Sequence, residues 1–209
     1  MLLMLGTGFF MGIFIATYQV TAESLFINKL SDQLDKAFLI SGVLGILSTL
    51  VFSFAQGRIK FTTLTISSIL TIVIISMTIY YLYHFADERL HYYVLFAMFC
   101  LIGPITAVLL LCYWGIFGRL FNFKQSKRII GWIDTGQLVA ALLAYFIIPL
   151  TARFFPDTSN YLIICNISIL GSLTCLLIIS SRFSLTKNDP AEFEASVRHW
   201  AAFQTWFVA

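Results

Sequence analysis

The sequence predicts an all-α, polytopic membrane protein of six transmembrane helices. Two observations predict it. Of 209 residues, 59% are hydrophobic and only 11% are charged, against about 25% charged in an average soluble domain. A soluble fold would have no polar surface to set against water. The apolar residues also gather into six long runs with charge and turn residues confined between them, and a helix needs about 20 mostly apolar residues to cross a bilayer. β-strands are excluded because the runs are too long and lack period-2 alternation.

The predicted spans are 2–20 (extending to about 28), 37–55, 61–83, 92–114, 130–150 and 161–181. The first run contains Gly8 and Gly12, four apart, the spacing that lets two helices approach closely. No Lys or Arg precedes it, so it lacks the positive region of a signal peptide. A joint rich in polar residues, Asn28 to Lys36, leads into the second span, and the short Gln56–Lys60 joint leads into the third. His84 to His91 separates the third span from the fourth. Gly103-Pro104 lies inside the fourth, where proline removes a backbone hydrogen bond and kinks a helix. The joint from Gly118 to Arg128 carries Arg119, Lys124, Lys127 and Arg128, and Arg153 to Asn160 precedes the sixth span.

The six-helix bundle therefore occupies residues 1–182. Residues 183–209 read as a cytoplasmic amphipathic tail or interdomain linker. Asp189-Pro190 is a helix start, and Phe193, Val197, Trp200, Phe203 and Phe207 recur at helical steps opposite Arg198 and His199.

Charge orients the bundle. Nine basic residues fall in the second and fourth joints and the tail, and four in the first, third and fifth joints, which accounts for all 13 Lys and Arg. The positive-inside rule puts the nine-residue side, and with it both termini, in the cytoplasm of a bacterial inner membrane. The same distribution explains the net charge of +3 without nucleic acid as a partner.

Chemistry is sparse. No nucleophile elbow, Gly-rich phosphate loop or HExxH motif is present, so the sequence does not read as an enzyme and implies no cofactor. Cys100, Cys112, Cys165 and Cys175 all lie in apolar runs without metal-type spacing, as small packing residues do. The informative residues are ionisable groups within apolar segments, because charge in a bilayer is costly. Gln19 and Glu23 are four apart, on one face of the first helix. Asp134 and Gln137 share a face of the fifth span. These four are the candidate substrate-cavity residues. Arg119, Lys127 and Arg128 are candidates for a cytoplasmic gate or an anion vestibule; the plainer reading of that cluster is a topology signal or anionic-lipid contact.

The stretch Trp114-Gly115-Ile116-Phe117-Gly118-Arg119-Leu120-Phe121-Asn122-Phe123-Lys124-Gln125-Ser126-Lys127-Arg128, followed by Gly131 and Asp134-Thr135-Gly136, resembles the fourth-to-fifth helix region of ATP/ADP carrier-like transporters of the major facilitator type. Leu25-Phe26-Ile27 through Asp35 to Gly42 resembles the first loop and second helix of the same group. The resemblance implies a secondary transporter that works by alternating access, with this chain as its N-terminal six-helix half and a second six-helix half as partner. Nucleotide exchangers of that family carry an Arg and then a Lys-Asp pair late in the first helix. Gln19, Ala22 and Glu23 align there, so the acid is kept in kind and both bases are missing. Polyphosphate binding draws on buried Arg or Lys. The resemblance with this departure therefore points to a small neutral or cationic solute as cargo, or to proton coupling through Glu23. The competing expectation is a membrane module that anchors, senses or serves as a subunit of a membrane complex, with the helices as scaffold.

Overall fold

The computed structural model describes residues 2–85, 88–121, 123–151 and 160–182, and the side chains of 2–85, 90–121, 129–150 and 160–182. The described residues contain no strand. They form α1 (Leu2–Leu30), α2 (Leu34–Gln56), α3 (Phe61–Phe85), α4 (Glu88–Cys100), α5 (Ile102–Leu120), α6 (Phe123–Thr151) and α7 (Tyr161–Arg182). Five helical runs among them are long and apolar enough to cross a membrane: Leu2–Gln56, Phe61–Phe85, Leu90–Leu120, Ile129–Leu150 and Tyr161–Arg182.

The first run has 55 residues and does not run straight. A 3-10 turn at Ser31–Gln33 divides it, and Leu30 leaves helical geometry at φ −140, ψ 27. Side-chain pairs on either part then show opposite directions. Moving up α1, Gly8 lies against Tyr113, Tyr18 bonds Met98, and Phe26 packs at a tilt against Phe96 and Phe99, so α1 is antiparallel to α4 and α5. Moving along α2, Ala37 meets Cys100 and Ser41 meets Gly103, so α2 is parallel to them. The chain therefore doubles back at Ser31–Gln33.

The fourth predicted span extends from Glu88 to Leu120 and is interrupted at Leu101. The cause is Gly103-Pro104. Pro104 has no N–H for the carbonyl of Cys100, and the Gly103 N–H goes to the Ser41 hydroxyl at 3.0 Å instead of extending the helical ladder. The ladder resumes with the Ile105 N–H on the Leu101 carbonyl at 3.0 Å. The predicted joint from Gly118 to Arg128 contracts: α5 continues to Leu120 and α6 begins at Phe123, because Arg, Lys and Gln are good helix formers once an apolar helix has nucleated. The tail at 183–209, the joint at 153–159 and the side chains of Lys124, Lys127 and Arg128 lie outside the described residues.

Two helix pairs form the centre. α1 packs along α6 and α7, and α2 packs along α4 and α5; α3 packs on α7 and α5, and α4 also touches α1. Small residues allow the two closest approaches. A Cβ on Gly12 would stand 2.5 Å from the Gln137 carbonyl oxygen and 3.0 Å from the Ala140 methyl, and Ala16 and Ala144 continue that seam. A Cβ on Gly103 would collide with the Ser41 carbonyl. Both approaches join parallel helices. Exchanging α1 with the α4–α5 helix, α2 with α6, and α3 with α7 maps these packing pairs onto one another: α1–α6 onto α5–α2, and α1–α7 onto the α3 contacts with α4 and α5. The pairs α3–α7 and α1–α4 map onto themselves.

The core is built from α1 more than from any other helix. Met4, Met11, Phe14, Tyr18, Ala22 and Phe26 are almost fully enclosed. By contrast α2 buries only Ala37, Ser41 and Phe52, and exposes Phe38, Leu39, Ile46, Val51 and Phe54. An apolar face of that extent suits hydrocarbon rather than water.

Candidate functional site

Glu23 lies in the C-terminal half of α1, one helical turn after Gln19. Their side chains point the same way because residues four apart share a helix face, and the Gln19 amide Nε2 donates to Glu23 Oε1 at 2.9 Å. Both residues are half-buried. Tyr145 of α6 lies close enough to experience the Glu23 charge. The sequence pairing of Gln19 with Glu23 is thus present as a direct contact on the most enclosed helix of the bundle.

Asp134 sits elsewhere. It follows Ile133, whose carbonyl accepts the Tyr113 hydroxyl at 3.0 Å, and that hydroxyl fits against Gly8. Asp134 is half-buried at the level of Gly8, and Tyr113 lies within range of its charge. Glu23 is fifteen residues further along α1, about 22 Å at 1.5 Å per residue. One small solute cannot touch both carboxylates at once. Gln137 is half-buried, and its backbone carbonyl faces Gly12. The four cavity candidates therefore form two levels on the α1–α6 seam, an upper one at Gln19 and Glu23 and a lower one at Asp134 and Gln137.

Arg119 has local partners. Its guanidinium carbon lies 3.6 Å from the centroid of the Phe61 ring, and its Nη1 donates to the Gly115 carbonyl at 3.2 Å. A cation in the last turn of α5 also complements the helix dipole. Gly115 leaves room for this stack, since a Cβ there would meet the Phe61 ring and the ring would have to shift. Arg119 thus fastens α5 to the start of α3. Lys127 and Arg128, the other gate candidates, lie outside the residues whose side chains are described.

Several polar contacts have no counterpart in the sequence reading. The Tyr18 hydroxyl donates to the Met98 carbonyl at 3.0 Å, next to the break in the helix. Ser76 on α3 and Asn166 and Ser172 on α7 are buried, with side-chain oxygens that have no hydrogen-bond partner among the described residues. The tyrosines lie in apolar runs and bond backbone carbonyls, which leave no pattern in a sequence. Serine and threonine in membrane helices commonly bond their own helix, as Thr7, Thr17 and Thr21 do, so their presence alone singles out no site.

Described residues line at least two cavities. One, of about 340 Å³, lies between α2, α3 and α5 and is lined by Ser48, Phe52, Leu64, Ser68 and Pro104 among others. A second, of about 250 Å³, lies between the C-terminal end of α1 and the N-terminal part of α4, beside Lys29, Leu30, His91, Tyr92 and Leu95. Neither is lined by Gln19, Glu23, Asp134 or Gln137. No group of three or more His, Cys, Asp or Glu residues capable of holding a metal occurs among the described residues.

Comparison of the chain with protein-family models, with curated proteins and with solved structures finds no significant match.

Proposed function

We propose that the chain is a secondary membrane transporter, or the N-terminal six-helix half of one, and that it moves a small neutral or cationic solute by alternating access. The observation that carries this reading is the Gln19–Glu23 pair. A carboxylate half-buried within an apolar helix is expensive, and such residues mark ion or solute pathways. Here the pair lies on the helix that packs against α4, α5, α6 and α7, the position from which a side chain can report to the whole bundle. Coupling a proton to the solute would use Glu23 as the exchangeable acid, with Gln19 holding it in place through the Nε2 bond.

The packing pattern supports a carrier architecture. With the reversal at Ser31–Gln33, the 55-residue run would supply two crossings of the six proposed, beside the four other apolar runs. The exchange of α1, α2 and α3 for the α4–α5 helix, α6 and α7 is what two inverted three-helix repeats produce, and nested repeats of that kind build each half of a major-facilitator transporter. The resemblance of Trp114–Gly136 to ATP/ADP carrier-like proteins agrees with this. The absence of Arg or Lys at Gln19 and Ala22 disfavours a nucleotide polyphosphate as cargo. A bacterial inner membrane with both termini cytoplasmic is the orientation that the basic joints favour.

A second reading has one observation in its favour. Glu23 is only half-buried and its neighbour Tyr145 is exposed, as expected of a membrane scaffold whose Glu23 meets the lipid interface. Water access separates the two. In a transporter, Glu23→Cys reacts with a membrane-impermeant methanethiosulfonate, and proteoliposomes take up a neutral or cationic solute in a manner lost in Glu23→Gln. An unreactive Glu23→Cys supports the scaffold. Exchange of ATP for ADP that Glu23→Gln leaves intact overturns the proposed cargo and the role of Glu23.

A further inference from the structure

The 340 Å³ cavity between α2, α3 and α5 is unlike a solute site. Its walls run along α3 from Leu64 to Ile75, a length of about 16 Å at the helical rise, and along α5 from Pro104 to Val108. The interruption of the helical ladder at Leu101 lies on this wall, with Leu101, Pro104, Ile105 and Val108 all lining the groove. The rim is open sideways, since Val51, Ser67 and Thr71 are exposed on the outer face.

Three of the four wall hydroxyls do not call for a polar ligand. Ser48 Oγ donates to the Gly45 carbonyl at 2.9 Å, Ser67 Oγ to the Leu64 carbonyl at 3.0 Å, and Thr71 Oγ1 to the Ser67 carbonyl at 2.8 Å. Each is satisfied by its own helix. The lining is otherwise hydrocarbon and contains no charged residue. A long, narrow, apolar groove open to the bilayer fits an acyl chain.

The charge lies at one end. Ala55 and Leu64 line the groove where it approaches the loop joining α2 to α3, and Arg58 and Lys60 stand exposed on that loop. No Asp or Glu occurs between Asp35 and Asp87, so no acid in that stretch opposes them. Arg119 lies at the same end over Phe61. Basic residues at the mouth of an interhelical groove bind anionic headgroups.

We infer that the α2–α3–α5 groove is a binding site for one anionic phospholipid of the leaflet facing the α2–α3 loop, its chain in the groove and its phosphate at Arg58 and Lys60. This site is separate from the Gln19–Glu23 pair and stands or falls independently of transport.

Native mass spectrometry of the purified chain tests it, by titration with phosphatidylglycerol and with phosphatidylcholine of the same chains. Phosphatidylglycerol adducts should form at about thirtyfold lower lipid concentration, which corresponds to about 2 kcal/mol for two basic residues. Arg58→Gln with Lys60→Gln should abolish the preference and leave phosphatidylcholine binding as it was. Both positions are exposed, so the helical circular dichroism should not change. Ser67→Phe, which narrows the groove from its rim, should weaken binding of both lipids. Equal binding of the two lipids by the parent chain overturns the proposal, as does a preference that survives the double substitution. Unchanged binding in Ser67→Phe overturns the groove as its location, and a lipid-free dimer would instead assign the groove to a second copy of the chain.

Discussion

The Gly103 N–H donates to the hydroxyl of Ser41 at 3.0 Å, and the Ser41 carbonyl occupies the space a Cβ on Gly103 would need. One residue of α2 thus takes up a donor released at the break between α4 and α5 and also presses on the backbone there. Gly103→Ala removes the room for that approach, and overpacking of a tight contact costs about 1–3 kcal/mol. Gly42, one residue after Ser41, has nothing within 4 Å of an added Cβ. Gly103→Ala should therefore lower the thermal unfolding midpoint in detergent, while Gly42→Ala leaves it unchanged or raises it. Equal effects of the two would show that the contact does not hold α2 against α5.

Tyr18 and Tyr113 each join helices through one hydroxyl bonded to a backbone carbonyl, to Met98 and to Ile133. Polar contacts between membrane helices average about 0.6 kcal/mol and reach about 1.7. Tyr18→Phe should cost more than Tyr113→Phe. The Met98 carbonyl is in the last turn of α4, where the interrupted ladder offers fewer donors, whereas Ile133 lies inside the continuous α6. Denaturation of the two variants in mixed micelles compares them directly, and a larger loss for Tyr113→Phe would contradict this ranking.

Much of the helical fold can be read from the chain. The apolar runs from Phe61, Ile130 and Tyr161 correspond to α3, α6 and α7 within a few residues at most ends, because twenty apolar residues can satisfy their backbone in lipid only as helix. The exceptions are boundaries set by tertiary contacts. Leu2–Gln56 is one helical run with a 3-10 turn, since Asn28 to Lys36 contains neither Gly nor Pro to stop it. Gly103-Pro104 announces the interruption between α4 and α5, but the partner that takes up the Gly103 N–H, Ser41, lies 62 residues away. The Gly8–Gly12 spacing signals a close approach without saying that Tyr113 and Gln137 would fill it. At the candidate site, Gln19 and Glu23 were legible because their contact is local. The distance between Glu23 and Asp134 was not, because it depends on the stagger of α1 against α6.

That stagger rests on Gly12, whose missing Cβ lets the Gln137 carbonyl of α6 approach. Gly12→Val should separate α1 from α6 and destabilise the chain by about 1–3 kcal/mol, in the range of overpacked cores. The Gln19–Glu23 contact is internal to α1, so Gln19→Leu should leave stability within about 0.5 kcal/mol. Transport, if Glu23 carries it, should fall in Gln19→Leu despite the retained fold. Unfolding midpoints and uptake rates measured on the same preparations separate the two effects, and parallel losses of stability and uptake in Gln19→Leu would reduce the pair to a structural contact.

The reversal of the chain at Ser31–Gln33 has a direct test. With α1 and α2 antiparallel, the Ser31 turn and the Gly57–Lys60 loop stand at opposite ends of the bundle, and the orientation proposed above from the basic joints would place the loop at Arg58 in the cytoplasm. The native thiols assist the measurement: Cys100, Cys112 and Cys165 are buried and Cys175 is half-buried. A membrane-impermeant maleimide applied to intact cells should therefore label Ser31→Cys well above the parent chain and leave Gly57→Cys at the parent level. Permeabilised cells should label both. Labelling of both positions from outside would show that α1 and α2 do not cross as an antiparallel pair. Labelling of Gly57→Cys alone would keep the pair and invert the whole bundle, in which case the nine basic residues would face the exterior against the positive-inside rule.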